Sequence, residues 1–175
     1  LELPREEREA TLAAALLHDL GHGPFSHALE RVFTGLSHES LGRSLIVVEL
    51  HQVFQKHGVP TDLVVAILQG THTRPVLHEL VSSSVDVDRM DYLLRDSLYT
   101  GVKYGLFDSE RIINCLIPLT DNATGLQVLA LQRKGVESVE EFLFSRYFMY
   151  WQVYFHATVR AAELVIPSIR RPLHD

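Results

Sequence analysis

Apolar residues recur along most of the chain at the three- and four-residue intervals that are typical of amphipathic helices. The first such stretch begins near Pro4, because proline suits the first turn of a helix. Its apolar face comprises Leu12, Ala13, Leu16 and Leu17. A Gly-His-Gly-Pro run over 21–24 ends this predicted helix and leaves His18 and Asp19 in its last turn.

The same periodicity predicts a series of further helices. We expect them over about 26–33, from a cap at Ser37 to near Gly58, from a cap at Thr61 onward, over 75–80, from Val85 to Tyr99, and from Ser138 to about Ile166. Ser138 and Glu141 have the spacing of a capping box, and Pro167 is expected to stop the last helix.

Two segments with strand character interrupt the helices. They cover 112–119 and 125–132 and flank Asp121-Asn122, a pattern that is typical of a β-hairpin. The predicted fold class is therefore all-α, a single domain over 1–175 with a small two-stranded hairpin near 112–132.

Composition narrows the class of protein. The chain has 175 residues, 46% of them hydrophobic, which is enough to bury the core of one domain. Its longest apolar run, near 13–17, is far shorter than a membrane span, and a single cysteine, Cys115, excludes an internal disulfide. The net charge of −6 argues against nucleic acid as a partner. We therefore expect a cytoplasmic protein that binds neither membrane nor nucleic acid.

Histidine is the first indication of chemistry. The chain has ten histidines, and four of them, His18, His22, His27 and His38, fall within 21 residues. The adjacent His18 and Asp19 offer ligands that suit a divalent metal of intermediate hardness. The alternative is a histidine that caps a helix C-terminus, with loop histidines that bind backbone groups.

Two polar faces on later helices are further candidates. Asp88, Tyr92 and Asp96 recur every four residues opposite an apolar stripe, either as a solvated face or as the wall of a pocket. Arg146, Tyr150 and Tyr154 also recur every four residues, and this combination suits a phosphate beside a flat or sugar-like group, or a packed aromatic stripe in the core.

Three stretches together carry a family resemblance. They are His18-Asp19-Leu20-Gly21-His22-Gly23-Pro24-Phe25-Ser26-His27, then Ser37-His38-Glu39, then Ser84-Val85-Asp86-Val87-Asp88-Arg89-Met90-Asp91-Tyr92-Leu93-Leu94-Arg95-Asp96. They resemble the HD-domain phosphohydrolases, and more narrowly the dGTPase-like deoxynucleoside triphosphate triphosphohydrolases. The resemblance runs from about residue 10 to residue 165.

The resemblance implies a role for each matching residue. The implied metal ligands are His18, Asp19 and Asp88. The implied catalytic residues are His22, His27, His38 and Glu39. The implied substrate-binding residues are Tyr92, Asp96, Arg146, Tyr150 and Tyr154. Among these, His27 would protonate the leaving 5′ oxygen, and Glu39, with Glu30 as a second candidate, would orient His38.

The chain departs from the family pattern at two points. No histidine precedes His18, although the HD signature normally opens with one more histidine ligand, so we expect a fragment that is truncated at its N-terminus. Ala157 stands where such proteins usually carry a lysine after His156, which predicts a weaker grip on a triphosphate.

The function expected from this resemblance is hydrolysis of a deoxynucleotide by a homo-oligomer, with a divalent ion (Mn, Mg, Fe, Ni or Zn) as cofactor. Three alternatives stay open. They are a regulatory HD module that binds nucleotides without catalysis, an HD phosphodiesterase that acts on cyclic or alarmone nucleotides, and a purely structural helical domain.

Overall fold

The computed structural model describes residues 2–25, 27–30 and 37–168 and confirms an all-α fold with one small β-hairpin. The helices are α1 (Arg5–Leu17), α2 (His27–Glu30), α3 (His38–Val48), α4 (His51–His57), α5 (Thr61–Leu68), α6 (Pro75–Val81), α7 (Val87–Thr100), α8 (Ser109–Cys115), α9 (Val136–Met149) and α10 (Ala157–Ser168). The strands are β1 (Leu116–Thr120) and β2 (Gln127–Leu131). Within these ranges no helix is long and apolar enough to cross a membrane.

Two hydrophobic cores organise these helices. The first core is formed by Ala10, Ala14, Ile46, Phe54, Val64, Ile67, Val76, Leu77 and Val81. The second is formed by Met90, Leu93, Ile112, Phe142 and Met149. Helix α7 contacts α6 on one side and α9 on the other, so it joins the two cores. Its own buried hydrophobic residues, Met90 and Leu93, belong to the second core.

Helix α7 begins at a strong cap that lies in the interior. Asp86 is 1% exposed, and its carboxylate accepts hydrogen bonds from the backbone N–H groups of Ser83 (2.8 Å) and Arg89 (2.7 Å). The Arg89 guanidinium also contacts this carboxylate. Because a capping carboxylate satisfies backbone donors that have no partner within the helix, Asp86 fixes the first turn of α7.

The helix predicted from Ser37 to Gly58 is two helices. Ser37 caps α3 as expected, with its side chain accepting from the N–H of Ser40. The chain then breaks after Val48, and half-buried Leu50 packs against the first core. Gly58 ends α4 in the left-handed conformation (φ 69°). At the next helix, Pro60 rather than Thr61 holds the N-cap position. Of the helix predicted over 26–33, positions 26 and 31–33 lie outside the described residues.

The predicted hairpin is confirmed with shorter strands. Its β1 begins at Leu116, because the preceding residues form α8, in which Ile112 and Cys115 are buried on one helical face. The two strands are antiparallel, with Leu116 opposite Leu131. In the turn, Asp121 accepts a hydrogen bond from the Thr124 hydroxyl (2.7 Å).

The long C-terminal helix differs most from its prediction. It begins at Val136, two residues before Ser138, which is buried within α9, so the capping-box prediction was wrong. The α-helix changes at Tyr150–Tyr154 to a π-helical turn. A new helix, α10, begins at Ala157. Ala157 therefore lies in a different helix from Arg146.

Candidate functional site

His18 and Asp19 lie where α1 ends, in a turn that packs closely against α3. Gly21 allows this approach, because a Cβ atom there would lie 1.9 Å from the carbonyl oxygen of His38 and 2.5 Å from the backbone nitrogen of Gly42. No larger residue fits. The contact brings the two sequence stretches that contain the clustered histidines to one place.

The first cluster, which we call the His18 group, consists of His18, Asp19 and Asp88. The Nε2 atom of His18 lies 3.2 Å from Oδ1 of Asp88 and 3.3 Å from Oδ2 of Asp19. All three offered ligand atoms lie within 4.8 Å of one another. The structure thus brings together three residues that span 70 positions of sequence.

The electrostatics of this group favour a bound cation. His18 Nδ1 donates to the carbonyl oxygen of Ala15 (2.9 Å), which turns Nε2 towards the two carboxylates. Nε2 is buried and makes no hydrogen bond of acceptable geometry, although Asp88 raises the pKa of His18 to about 9. A proton on Nε2 can form a well-aligned hydrogen bond to only one carboxylate at a time, whereas a metal ion can bind Nε2 and both carboxylates together. The donor set therefore fits a divalent metal.

The second cluster, the histidine group, comprises His22, His27, Glu30 and His38. The rings of His22 and His38 are stacked, with centroids 4.0 Å apart, and the His27 ring lies 5.1 Å from that of His38. Burial, followed by the neighbouring His38 ring, lowers the pKa of His22. His22 Nε2 lies 3.4 Å from Oδ1 of Asp19, so the two groups adjoin.

Glu30, rather than Glu39, contacts His38. Oε1 of Glu30 accepts from Nδ1 of His38 (2.6 Å) and from its backbone N–H (2.9 Å), while Oε2 lies 3.2 Å from Nδ1 of His27. These contacts, first that with His27, lower the pKa of Glu30 to about 2. Glu39 is exposed in the first turn of α3. The choice between them depended on a tertiary contact that no local pattern reveals.

The third cluster, the tyrosine group, consists of Tyr92, Asp96, Arg146, Tyr150 and Tyr154. The Tyr154 hydroxyl donates to Oδ2 of Asp96 (2.7 Å), and the Arg146 guanidinium lies 5.6 Å from the ring centre of Tyr150. Burial raises the pKa of both Tyr92 and Tyr154. The five predicted residues therefore meet between α7 and the end of α9.

A cavity of about 280 Å³ opens beside the His18 group. Its polar wall includes His18, Asp19, His38 and Glu39, and its apolar wall includes Leu17 and Ile46. Its size is at the lower limit for a small-molecule site. Within the described part of the chain, the residues that line it include none of the tyrosine group.

Asp86 is a site residue that sequence reasoning did not single out. It caps the helix that carries Asp88 and is one of the few charged residues buried in the described structure. An aspartate placed directly before an apolar helical stripe is the signal that could have identified it.

Comparison with known proteins agrees with this geometry. The family model described as HD domain matches residues 1–96, and one described as HD associated region matches residues 107–171. The chain is 47% identical to the uncharacterized protein YwfO of Bacillus subtilis over 97% of its length and 39% of the relative. It is 29% identical to the deoxynucleoside triphosphate triphosphohydrolase SAMHD1 homolog of Dictyostelium discoideum, over 95% of its length and 34% of the relative.

A solved structure is also similar to this chain. The crystal structure of a phosphohydrolase from Bacteroides thetaiotaomicron superposes with a TM-score of 0.80 at 41% identity, over 96% of this chain and 40% of that one. The chain thus spans about two fifths of the length of YwfO and of the Bacteroides phosphohydrolase, and about one third of the Dictyostelium protein.

Proposed function

Since this chain belongs to the HD domain family of metal-dependent phosphohydrolases, we propose that it hydrolyses a deoxynucleoside triphosphate to a deoxynucleoside and inorganic triphosphate. The observation that carries the proposal is the arrangement along α7. One helix presents Asp88 to the His18 group and, on the same face, Tyr92 and Asp96 to the tyrosine group.

The His18 group would hold the metal in this reaction. When bound, a divalent ion supplies polarisation of a phosphoryl oxygen and a lower pKa for an attacking water. The protein's contribution is orientation, because the Ala15 carbonyl and the cap at Asp86 hold His18 and Asp88 towards one another.

The histidine group would supply the proton that the leaving group needs. Glu30 can only accept hydrogen bonds while ionised, so the Nδ1 atoms of His27 and His38 face it with their protons. Each Nε2 is then directed away from Glu30. A protonated imidazole can act as a general acid, so His27 Nε2 would give a proton to the leaving 5′ oxygen.

The tyrosine group would select the sugar. Tyr92 and Asp96 lie roughly 6 Å and 12 Å along the axis from Asp88 at 1.5 Å per residue, the span from an α-phosphate to a deoxyribose. Asp96, already held by Tyr154, can accept a hydrogen bond from a 3′-hydroxyl. Tyr92 would pack against the ring, where an added 2′-hydroxyl would crowd it.

The test is a product assay with the purified full-length protein. Each dNTP and the matching ribonucleotide are incubated with Mn²⁺ or Mg²⁺, and triphosphate and nucleoside are separated by ion exchange. We expect triphosphate from deoxynucleotides only. Equal turnover of GTP and dGTP would contradict the proposed selection of the sugar. Hydrolysis confined to a cyclic or alarmone nucleotide, or binding without turnover, would replace the proposal by one of the alternatives.

The assay also addresses Ala157. A high KM for the triphosphate with an ordinary kcat is expected if a cation is missing from the phosphate site. Homo-oligomerisation stays a prediction, which light scattering on the same sample measures.

A further inference from the structure

The histidine group has a composition unlike that of the His18 group. It holds three imidazoles and one carboxylate, and the four offered ligand atoms lie within 4.8 Å of one another. The His18 group holds one imidazole and two carboxylates. The structure therefore contains two adjacent donor sets of different softness.

Glu30 gives the histidine group a pre-oriented form. Its two oxygens separately contact Nδ1 of His38 (2.6 Å) and Nδ1 of His27 (3.2 Å). These contacts hold the rings of His27 and His38 beside one carboxylate, which is itself one of the four offered ligands.

Asp19 connects the two groups through different oxygens. Oδ2 lies 3.3 Å from His18 Nε2, and Oδ1 lies 3.4 Å from His22 Nε2. One carboxylate can therefore serve both donor sets at the same time. With Glu30 and Asp19 nearby, a cation placed among the three imidazoles meets negative charge.

We propose that His22, His27, Glu30 and His38 bind a second divalent cation of the zinc type, and that its binding inhibits the hydrolase. Imidazole-rich sites favour Zn²⁺, whereas carboxylate-rich sites accept harder ions such as Mn²⁺ and Mg²⁺. The inhibitory part rests on the proposed function, because a His27 imidazole that ligates a metal cannot carry the proton for the leaving group.

The experiment counts bound zinc without any substrate. Chelator-treated full-length protein is dialysed against buffered Zn²⁺, and bound ions per chain are measured by elemental analysis. The test variant is His27→Gln, at a side chain that is 64% exposed and leaves no cavity when replaced. The matched control is His57→Gln, an exposed histidine at the end of α4. Asp88→Asn is the variant for the His18 group.

We expect His27→Gln to bind one zinc ion fewer per chain than the wild type, and His57→Gln to bind the wild-type number. Asp88→Asn should also lose one ion, and the double variant two. If His27→Gln keeps the full number, or if His57→Gln loses an ion equally, zinc binds to surface histidines and the proposal is wrong. Circular dichroism confirms that each variant is folded.

A second readout tests inhibition. In the presence of saturating Mn²⁺, zinc at the concentration that fills the second site should abolish triphosphate release, and a zinc chelator should restore it. If the ion count changes as expected but no nucleotide is hydrolysed under any condition, the zinc site stands and the proposed function fails. If zinc binds at the histidine group without lowering the rate, the inhibitory role is wrong.

Discussion

The His18 group and the tyrosine group both use helix α7, but the protein completes them differently. In the tyrosine group, Asp96 already accepts a hydrogen bond from Tyr154, so the polar atoms satisfy one another. In the His18 group, the buried Nε2 of His18 faces two carboxylates without a well-formed hydrogen bond. We therefore expect a cation at the His18 group, whereas Asp96 in the tyrosine group already has a hydrogen-bond partner within the protein. Metal addition should therefore change one end only.

The largest expected effect is the loss of metal binding in Asp88→Asn. Removing a ligand should weaken Mn²⁺ binding by at least about 100-fold, the upper range for changes to outer-shell partners. Metal-dependent hydrolysis should be lost with it. At a concentration of 100 times the wild-type Kd, wild-type protein gains about 2.7 kcal/mol from the metal, whereas a variant with a Kd at least about 100-fold higher should gain at most about 0.4 kcal/mol. Thermal unfolding with and without Mn²⁺ measures this, with Asp91→Asn as a control at an exposed position of α7. A metal-dependent rise of Tm in Asp88→Asn as large as that of the wild type would remove Asp88 as a ligand.

His27→Ala should separate chemistry from metal binding. Loss of a proton donor lowers kcat by about 10²–10⁴-fold, whereas the stabilisation by Mn²⁺ should stay at the wild-type value. Single-turnover kinetics and thermal unfolding on one preparation compare the two, with His57→Ala as the control. An unchanged kcat would end the assignment of His27 as the acid.

Asp86→Ala should weaken both ends of α7. It removes the cap and leaves the Ser83 and Arg89 N–H groups without their acceptor, which should lower the free energy of unfolding by about 1–3 kcal/mol. Urea denaturation measures the change. Asp108→Ala removes the exposed cap of α8 and should cost less, about 0.5–1 kcal/mol. Equal losses in the two variants would mean that burial of Asp86 adds nothing.

The smallest expected effect belongs to Tyr154→Phe. The variant loses one hydrogen bond to Asp96, worth about 1 kcal/mol, which corresponds to about a fivefold decrease in kcat/KM for a deoxynucleotide. Stabilisation by Mn²⁺ should not change, since the tyrosine group does not hold the metal. Tyr147→Phe, at an exposed position of α9, is the matched control. If Tyr154→Phe instead abolishes the metal-dependent rise in Tm, the two ends of α7 are not independent.

The comparison also shows which sequence predictions were reliable. The predicted helix start near Pro4 and the predicted cap at Ser37 are both confirmed. The prediction of one continuous α-helix from Ser138 to Ile166 was wrong. The backbone adopts a π-helical turn at Tyr150–Tyr154, and the same residue pattern is compatible with an α- or a π-helical backbone. Packing of Met149 into the second core accompanies that choice, and such packing leaves no local signature.

The sequence predicted which residues belong to the candidate site more fully than it predicted which of them are in contact. The assignment of His18, Asp19 and Asp88 as metal ligands stays a prediction, although the structure brings their ligand atoms within 4.8 Å. Which glutamate orients His38 could not be decided from spacing, because Glu30 and Glu39 both lie within nine residues of it. The hydrogen bond from His38 Nδ1 to Glu30 identifies the partner.

The amino-acid sequence by itself determined the local features of this protein: the helical periodicity, the caps, the hairpin turn and the residue types that suit a metal and a phosphate. These depend on interactions within a few residues, so the pattern along the chain is sufficient. Only the tertiary structure decided that α7 joins two cores, that Gly21 lets α1 and α3 meet, and that Asp19 directs one oxygen to each neighbouring histidine. These depend on close packing between distant segments, where a single Cβ atom at Gly21 would prevent the contact.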